Sequence, residues 1–278
     1  MTKALKLFFF GDLIMIIFNT DLDNTIIYSY KHDIGEPKIC AEIYQNREIS
    51  FITQKTAELL KAANSAVTLV PTTTRTLEQY NRINLGFGIP KYALVCNGGV
   101  LLVNGEEDEQ WYNDSFEAVR DCQEQLNFAE KILEADKNRT FEIRNIRKLF
   151  IFTKSSEPLD SVEILKNKLD TSKVDVFNNG VKVYVVPKNL SKGTAVKRLK
   201  EKLNAEMTIS AGDSEFDISM LNATDISIAP KELSELAELP EHTVLFDGEG
   251  IFSEFVLEKV ISCKNNLESP HTCCPAMP

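Results

Sequence analysis

None of the six cysteines stands at C-x-x-C spacing, and their scatter over Cys40, Cys96, Cys122, Cys263, Cys273 and Cys274 lacks the density of a secreted disulfide scaffold. Reduced thiols in a cytoplasm are expected. Histidine is scarcer: His32, His242 and His271 are the whole supply, and none lies at metalloprotease or zinc-finger spacing from another ligand. An excess of positive charge is also missing. With 31 Lys and Arg against 41 Asp and Glu, the net charge is −10, so the average field repels polyanions and excludes a nucleic-acid footprint. An anionic ligand would need a local cationic pocket. No apolar run reaches the length of a membrane span: Leu5 to Phe18 follows Lys3 and Lys6, but Asp12 interrupts it and no small-residue cleavage site follows. Because Ile14 to Phe18 already reads as a strand, our hypothesis is that Met15 is the natural start and residues 1–14 an upstream extension.

What is present is enough apolar mass for a folded chain. The 278 residues are 43% hydrophobic and 26% charged, which suits two cores or one core with a large insertion. Ile14 to Thr20 is a β-branched and aromatic run without alternation, as for a strand buried on both faces, and it runs into Asp21-Leu22-Asp23-Asn24-Thr25. Thr53 to Ala63 is helical in pattern. Ala66 to Val70 is a second buried strand, ending at Pro71-Thr72-Thr73-Thr74-Arg75, and a helix from Thr76 to Ile83 follows. Tyr92 to Cys96 is a third strand, and Val100 to Val103 is expected to pair with a strand around Gln110 to Tyr112.

The rhythm then changes. A helix over Phe116 to Leu133, strands near Phe141 to Arg147 and Leu149 to Thr153, a helix over Leu159 to Leu169, and strands near Val174 to Phe177 and Val181 to Val186 suggest a separate open-faced α+β unit. Asn179-Gly180 marks its hairpin. Alternation resumes with a helix from Gly193 to Leu203, a strand over Met207 to Ala211, a helix ending near Leu221 and a strand over Asp225 to Ala229. The expected class is therefore α/β, a Rossmann-like parallel-sheet core of residues 1–113 and 188–278 with an α+β cap of residues 114–187 inserted. Residues 264–278 read as a loose tail.

Two acidic turns carry the chemistry. Asp21 and Asp23 follow a buried strand directly, at the carboxyl edge where open α/β sheets place ligands. Capping of a turn describes the same letters. A calcium loop does not, because its sixth position holds Ile26 and its twelfth His32. Asp213 and Asp217 form a second pair after another apolar strand. Four converging carboxylates repel, and a hard cation such as Mg²⁺ relieves the conflict while calling for an oxygen-rich substrate such as a phosphate ester. Thr73 follows the strand Ala66 to Val70, and Lys192 opens a helix, so both can serve an anion at that edge. Singly, Thr73 reads as a helix cap and Lys192 as a solvated lysine.

In this order the segments resemble the four motifs of the haloacid dehalogenase-like hydrolase superfamily: D-x-D-x-T, a Thr or Ser after a strand, a Lys, and G-D-x-x-x-D. Here they read Asp21 to Thr25, Thr73, Lys192 within Ser191-Lys192-Gly193, and Gly212 to Asp217. Only 47 residues separate Thr25 from Thr73 whereas 118 separate Thr73 from Lys192. That insertion point resembles the branch with a large α/β cap, which includes sugar-phosphate and sucrose-phosphate phosphatases and phosphomannomutase. Asn97-Gly98-Gly99 resembles that branch's N-G turn. Two positions depart from it: T-G-R becomes Thr73-Thr74-Arg75, and the Asn that often precedes the last Asp is replaced by Phe216. Ser214 or Glu215 is expected to compensate for the metal-shell or orienting contact of that Asn.

The resemblance implies that Asp21 is the nucleophile, that Asp23 is the acid and base, and that Thr73 and Lys192 hold the phosphoryl oxygens. It further implies Mg²⁺ on Asp21, the carbonyl of Asp23 and Asp213, with Asp217 close by as a further ligand or as an anchor of that shell. Arg75 reads either as a further phosphate contact or as an ion-pair partner. From the cap, Arg144, Lys182 and Tyr184 are candidates to meet the leaving group. The expected protein is a cytoplasmic, magnesium-dependent phosphatase of a small phosphorylated metabolite, a sugar phosphate being one candidate, with no nucleic-acid or membrane partner and an open oligomeric state. A phosphomutase, or a non-catalytic binding or regulatory protein that keeps the fold, is the alternative.

Overall fold

The computed structural model describes residues 14–268. The first thirteen residues of the proposed upstream extension, and residues 269–278 of the proposed tail, lie outside them. The central sheet follows from five short apolar runs: β1 (Ile16–Thr20), β5 (Thr68–Pro71), β13 (Met207–Ala211), β14 (Ile226–Pro230) and β15 (Thr243–Phe246). All pair in parallel, in the order β15-β14-β13-β1-β5. Alternate residues of β1 feed two layers, which is why no hydrophobic alternation shows in its sequence. Ile16 and Phe18 join Leu60, Val256 and Val260 of α1 (Gln54–Ala66) and α9 (Phe252–Glu268) on one face. Ile17 joins Val196, Leu199 and Met220 of α6 (Lys192–Leu203) and α7 (Glu215–Leu221) on the other. The α/β class and parallel core expected from the sequence are thus observed. The helix α9 extends to Glu268, so residues 264–268 are not the loose tail that was expected.

Between β1 and α1 the chain builds a three-stranded antiparallel sheet that the sequence reading missed: β2 (Tyr28–Ser29), β3 (Lys38–Tyr44) and β4 (Arg47–Thr53), in the order β2-β4-β3. Gln45 and Asn46, both left-handed, close the hairpin. After β5, a capping box from Thr76 to Gln79 starts the short α2 (Leu77–Tyr80). A second antiparallel sheet joins β6 (Tyr92–Val95), β7 (Val100–Val103) and β8 (Glu106–Glu107). Gln110 to Tyr112 are not a strand. The Asp108 carboxylate accepts from the Trp111 N–H and caps α3 (Glu109–Ala118), and Asn104-Gly105 turns β7 back onto Glu106–Glu107 instead. The long helix expected over Phe116 to Leu133 is divided at Val119 into α3 and α4 (Gln123–Glu134). The expected boundary at residue 114 falls inside α3, whose Trp111 packs with Val196 and Leu199 of the central layer.

The inserted layer has β11 (Val174–Asn179), β12 (Lys182–Pro187), β10 (Phe150–Lys154) and β9 (Arg144–Ile146) in that order, all antiparallel. Ile151, Val183 and Val185 face α4 and α5 (Pro158–Lys168) and form a separate core with Leu126, Leu133 and Leu165. Phe150, Phe152, Tyr184 and Val186 face the other way and belong to the main core cluster. The second face of this sheet is therefore not the solvated face the sequence reading allowed for: it closes over the central domain. The remaining helix, α8 (Lys231–Leu236), packs beside β14. The four described cysteines are free thiols. Among the described residues, no helix is long and apolar enough to cross a membrane.

Candidate active site

Register brings the acidic turns together. Thr20 at the end of β1 pairs with Ala211 of β13 and Pro71 of β5, so the three strands stop level. The next residues, Asp21, Gly212-Asp213 and Thr72-Thr73, necessarily emerge at one edge. Asp21 extends the ladder by one bond, its N–H donating to the Ala211 carbonyl at 2.9 Å. Asn24 takes the left-handed conformation at φ 60°, which asparagine tolerates, and the loop returns so that Thr25 Oγ1 donates to Asp213 Oδ1 at 3.1 Å. That tie gives the threonine of the first motif a structural task.

Lys192 is the first residue of α6, fixed there by reciprocal bonds between Ser191 and Thr194. Its side chain is 1% exposed and its Nζ lies 2.5 Å from Asp21 Oδ1 and 2.6 Å from Asp217 Oδ1. The surface reading of this lysine is thereby excluded. Two glycines permit the approach: a Cβ on Gly193 would stand 2.1 Å from the Ser219 carbonyl oxygen, and one on Gly212 would stand 2.3 Å from Asp217 Cβ. Asp217 Oδ2 accepts from the N–H groups of Asp213 and Ser214 at 3.1 and 3.0 Å and from Ser214 Oγ at 2.9 Å. Ser214, one of the two residues expected to compensate for the missing Asn, is thus bonded twice to Asp217 Oδ2.

One carboxylate oxygen from each of Asp21, Asp213 and Asp217 lies within 4.8 Å of the others. Burial, opposed by Lys192 but reinforced by Asp217, Asp213 and Asp23, pushes the Asp21 carboxyl well above the aspartate range. Burial and Asp217 push Asp213 up to about 7. Lys192 is burdened by desolvation too, yet Asp21 and Asp217 outweigh it and hold the ammonium charged. Thr73 is fully buried at the same edge, its N–H on the Leu94 carbonyl and its Oγ1 accepting from the Arg75 N–H at 3.1 Å. Its hydroxyl proton is left to donate.

The Asp23 side chain lies apart from that cluster. It is half exposed and gripped by the Arg75 fork, with Nε on Oδ2 at 2.8 Å and Nη2 on Oδ1 at 2.7 Å. Burial works against its charge, but the Arg75 bonds win and hold Asp23 below the ordinary range. Of the two readings of Arg75, the ion pair is the one observed. The pair is not on the surface: the Arg75 side chain is 13% exposed and Nη2 also reaches Glu42 Oε2 at 2.9 Å. Glu42, on β3, is buried and takes Arg82 Nε at 2.9 Å and Ser50 Oγ at 3.0 Å as well. The sequence reading had no role for Glu42, Arg82 or Ser50.

This network makes the β3–β4 hairpin part of the site. Desolvation raises the Glu42 pKa, but Arg75, Arg82 and Ser50 outweigh it and hold the carboxyl below the glutamate range. Its stabilisation is therefore complete above the ordinary glutamate pKa and lost as pH falls through the lowered value. Glu42→Gln is expected to cost about 3 kcal/mol at pH 7, because two arginines are left short of a buried counter-charge. Urea melts of both proteins check it: the gap narrows toward pH 3, and an equal gap at both pH values is the contrary result.

Phe216, the departure in the fourth motif, packs edge-on against Phe177 at 4.7 Å and Tyr184 at 4.9 Å. It clasps the inserted sheet to α7. Below that clasp a cleft of about 470 Å³ is lined by Asp23, Arg75, Glu42, Phe152, Lys182 and Tyr184, among others. Lys182 and Tyr184 thus face the cleft, whereas Arg144 pairs with Glu142 at 2.7 Å and is not among its lining residues.

Residues 101–237 match the haloacid dehalogenase-like hydrolase family. Over 181 residues the chain is 33% identical to a protein of Sulfurisphaera tokodaii named phosphoglycolate phosphatase, a stretch covering 63% of this chain and 71% of the other. The chain belongs to the haloacid dehalogenase-like hydrolases. Among solved structures, the sucrose-phosphatase of Synechocystis sp. matches with a TM-score of 0.63 at 15% identity, over 90% of this chain and 98% of that one. A Thermoplasma acidophilum protein matches at 0.57 and 13% identity, over 91% and 99%. At such identities the likeness is one of fold, and it covers core and insertion together. Family and relative make this hydrolase a phosphatase, as expected from the motifs.

Proposed function

We propose that this hydrolase is a magnesium-dependent phosphatase of small phosphorylated metabolites that works through an aspartyl-phosphate on Asp21, with residues 114–187 as its cap. The gathering of Asp21, Asp213 and Asp217 oxygens within 4.8 Å carries the reading. With all three ionised, the carboxylates leave about two negative charges against one buried ammonium, a repulsion that shows in the raised Asp21 and Asp213 and that a dication with oxygen ligands would relieve. Asp21, Asp213 and the backbone carbonyl of Asp23 would hold it. Asp217, whose oxygens accept from Lys192 and from the Asp213 and Ser214 N–H groups, would stand beside the ion as a further ligand or as the anchor of Lys192 and the Gly212-Asp213 turn. When bound, the ion neutralises charge on a phosphoryl group undergoing in-line displacement.

The chain's own groups then divide the work. An Asp21 oxygen attacks phosphorus, the bond from phosphorus to the ester oxygen breaks, and the departing oxygen takes the proton of the Asp23 carboxyl. In the second half, Asp23 as carboxylate takes a proton from water while the water oxygen displaces Asp21 and releases inorganic phosphate. The Arg75 fork favours the carboxylate form, so it must loosen for the first half and close for the second. Lys192 has three N–H donors and spends two on Asp21 and Asp217, leaving one, with the Thr73 hydroxyl, for phosphoryl oxygens.

The test is an acid-quenched single turnover with a phosphorus-labelled monoester and Mg²⁺. Label bound to the protein through Asp21, and inorganic phosphate released in step with the alcohol, are expected, with neither in the presence of a chelator. Isomerised ester without phosphate release would make the protein a phosphomutase, and phosphate release without labelled protein would remove the covalent intermediate.

A further inference from the structure

We propose that Asn97 is a positioning residue that sets the gap between Thr73 and Lys192; this rests on the assignment of those two groups to the phosphoryl oxygens given above. Cys96, Asn97 and Gly98, directly after β6, take left-handed conformations in succession, at φ 53°, 58° and 85°. The turn they make is bonded to the loop that carries Thr73: the Cys96 N–H donates to the Arg75 carbonyl at 2.8 Å and the Asn97 N–H to the Thr73 carbonyl at 3.0 Å. On its other side it meets the helix that Lys192 opens. A Cβ on Gly98 would stand 2.3 Å from Ala195 Cβ, so glycine is what lets the turn lie against the first turn of α6.

The Asn97 side chain completes a strut. Its Nδ2 donates to the Leu190 carbonyl at 3.1 Å, from 93 residues away in the chain, and Leu190 stands two residues before Lys192, where the chain returns from β12 to the core. One residue therefore holds the Thr73 loop by its backbone and the approach to Lys192 by its amide. Sheet register settles where Thr73 leaves β5, but α6 belongs to no ladder, and a strut across the gap supplies what register cannot. Donors to one tetrahedral phosphoryl group must keep their spacing closely, since a shift of about 1 Å is enough to cost on the order of a hundredfold in rate.

Fold stability does not account for this amide. At φ 58° glycine serves the turn at least as well as asparagine, so what asparagine adds is the side chain. That side chain is buried, 5% of the residue being exposed, and its Oδ1 has no hydrogen-bond partner among the described residues. An unmet buried acceptor costs about as much as the bond from Nδ2 returns, which leaves little net gain to the fold. What remains is the placing of the Leu190 carbonyl, and with it the start of α6, relative to Thr73. Neither Asp21 nor Asp213 is bonded to the turn, so the strut serves the phosphoryl donors and not the carboxylates.

The experiment compares the unaltered protein, Asn97→Gly, Thr73→Val and the double variant, with inorganic phosphate as the probe. Its binding in the presence of Mg²⁺ is read from inhibition of p-nitrophenyl phosphate hydrolysis and from the rise it causes in melting temperature. Asn97→Gly is expected to raise the phosphate inhibition constant by about tenfold, while the melting temperature without ligands stays within about 4 °C and the rise produced by Mg²⁺ alone is unchanged. In the double variant the loss is smaller than the product of the two single losses, because a strut has nothing to align once the Thr73 hydroxyl is gone. An unmoved inhibition constant in Asn97→Gly, losses that multiply, a Mg²⁺ response that falls together with phosphate binding, or a melting temperature lowered by more than about 4 °C overturns the proposal. If Thr73→Val weakens phosphate and Asn97→Gly does not, only the strut fails. If Thr73→Val also leaves phosphate binding as it was, or phosphate neither inhibits nor stabilises the unaltered protein, the phosphoryl site proposed above fails with it.

Discussion

Asp21→Asn is expected to reduce kcat on any phosphomonoester by about 10⁴-fold or more while leaving the melting temperature level or raised. The activity loss follows from chemistry: the amide oxygen cannot form the acyl-phosphate, and losing a covalent nucleophile removes more than losing an accessory hydrogen bond. The stability result follows from the neighbourhood. Burial and three nearby aspartates make ionised Asp21 a burden on the fold, with only Lys192 in its favour. A neutral side chain of the same shape removes the repulsion, and Lys192 retains Asp217 at 2.6 Å. Turnover assays with thermal melts in a chelating buffer check both halves. Turnover within tenfold of the parent would remove Asp21 from the mechanism, and a fall of more than about 4 °C, roughly 1 kcal/mol or more for a chain of this size, would show that its charge supports the fold.

Asp21, Asp213 and Lys192 were legible in the sequence because each sits where a strand ends or a helix begins, and the level register of β1, β5 and β13 converts those positions into neighbours. Glu42 was not legible, for the converse reason. In Lys38–Tyr44 it follows the buried Ala41 and precedes the exposed Ile43 and Tyr44, out of step with strand alternation, and its carboxylate is paired by Arg75 and Arg82, supplied 33 and 40 residues later. The hairpin that carries it turns through Gln45-Asn46 without glycine, so the usual Asn-Gly signal is absent. Gln110 to Tyr112 looked extended because aromatic residues favour strands, and the Asp108 cap overruled that preference.

Phe216 shows a different limit. As a letter it was a lost asparagine; in the fold it is the meeting point of α7 with Phe177 and Tyr184 of the inserted sheet. Ser214, two residues earlier, supplies a hydroxyl contact to Asp217. The inserted sheet presented the same difficulty on a larger scale. Its alternation was visible, but a strand pattern does not say whether the second face meets water or another domain. Phe150, Phe152 and Tyr184 settle that by packing into the main core cluster. Lys182 shares the Tyr184 face and is carried to the cleft with it.

Lys192→Met is expected to be the most damaging single change to the metal-free fold, at about 3–5 kcal/mol, together with a loss of turnover of about 10²-fold or more. Methionine replaces the stem of the lysine adequately, so the damage is electrostatic: Asp21 and Asp217 are left buried without the cation they share. The burden falls on Asp21 more than on Asp217, whose Oδ2 keeps three donors from Asp213 and Ser214. A double variant, Asp21→Asn with Lys192→Met, should therefore regain much of the stability that Lys192→Met alone has lost, by about 1.5–3 kcal/mol of coupling in a denaturant-melt cycle. Additive losses would show that Lys192 acts through packing of its stem. Recovery would mean that the same ammonium that keeps the acidic edge foldable also favours the charged form of Asp21 against its burial.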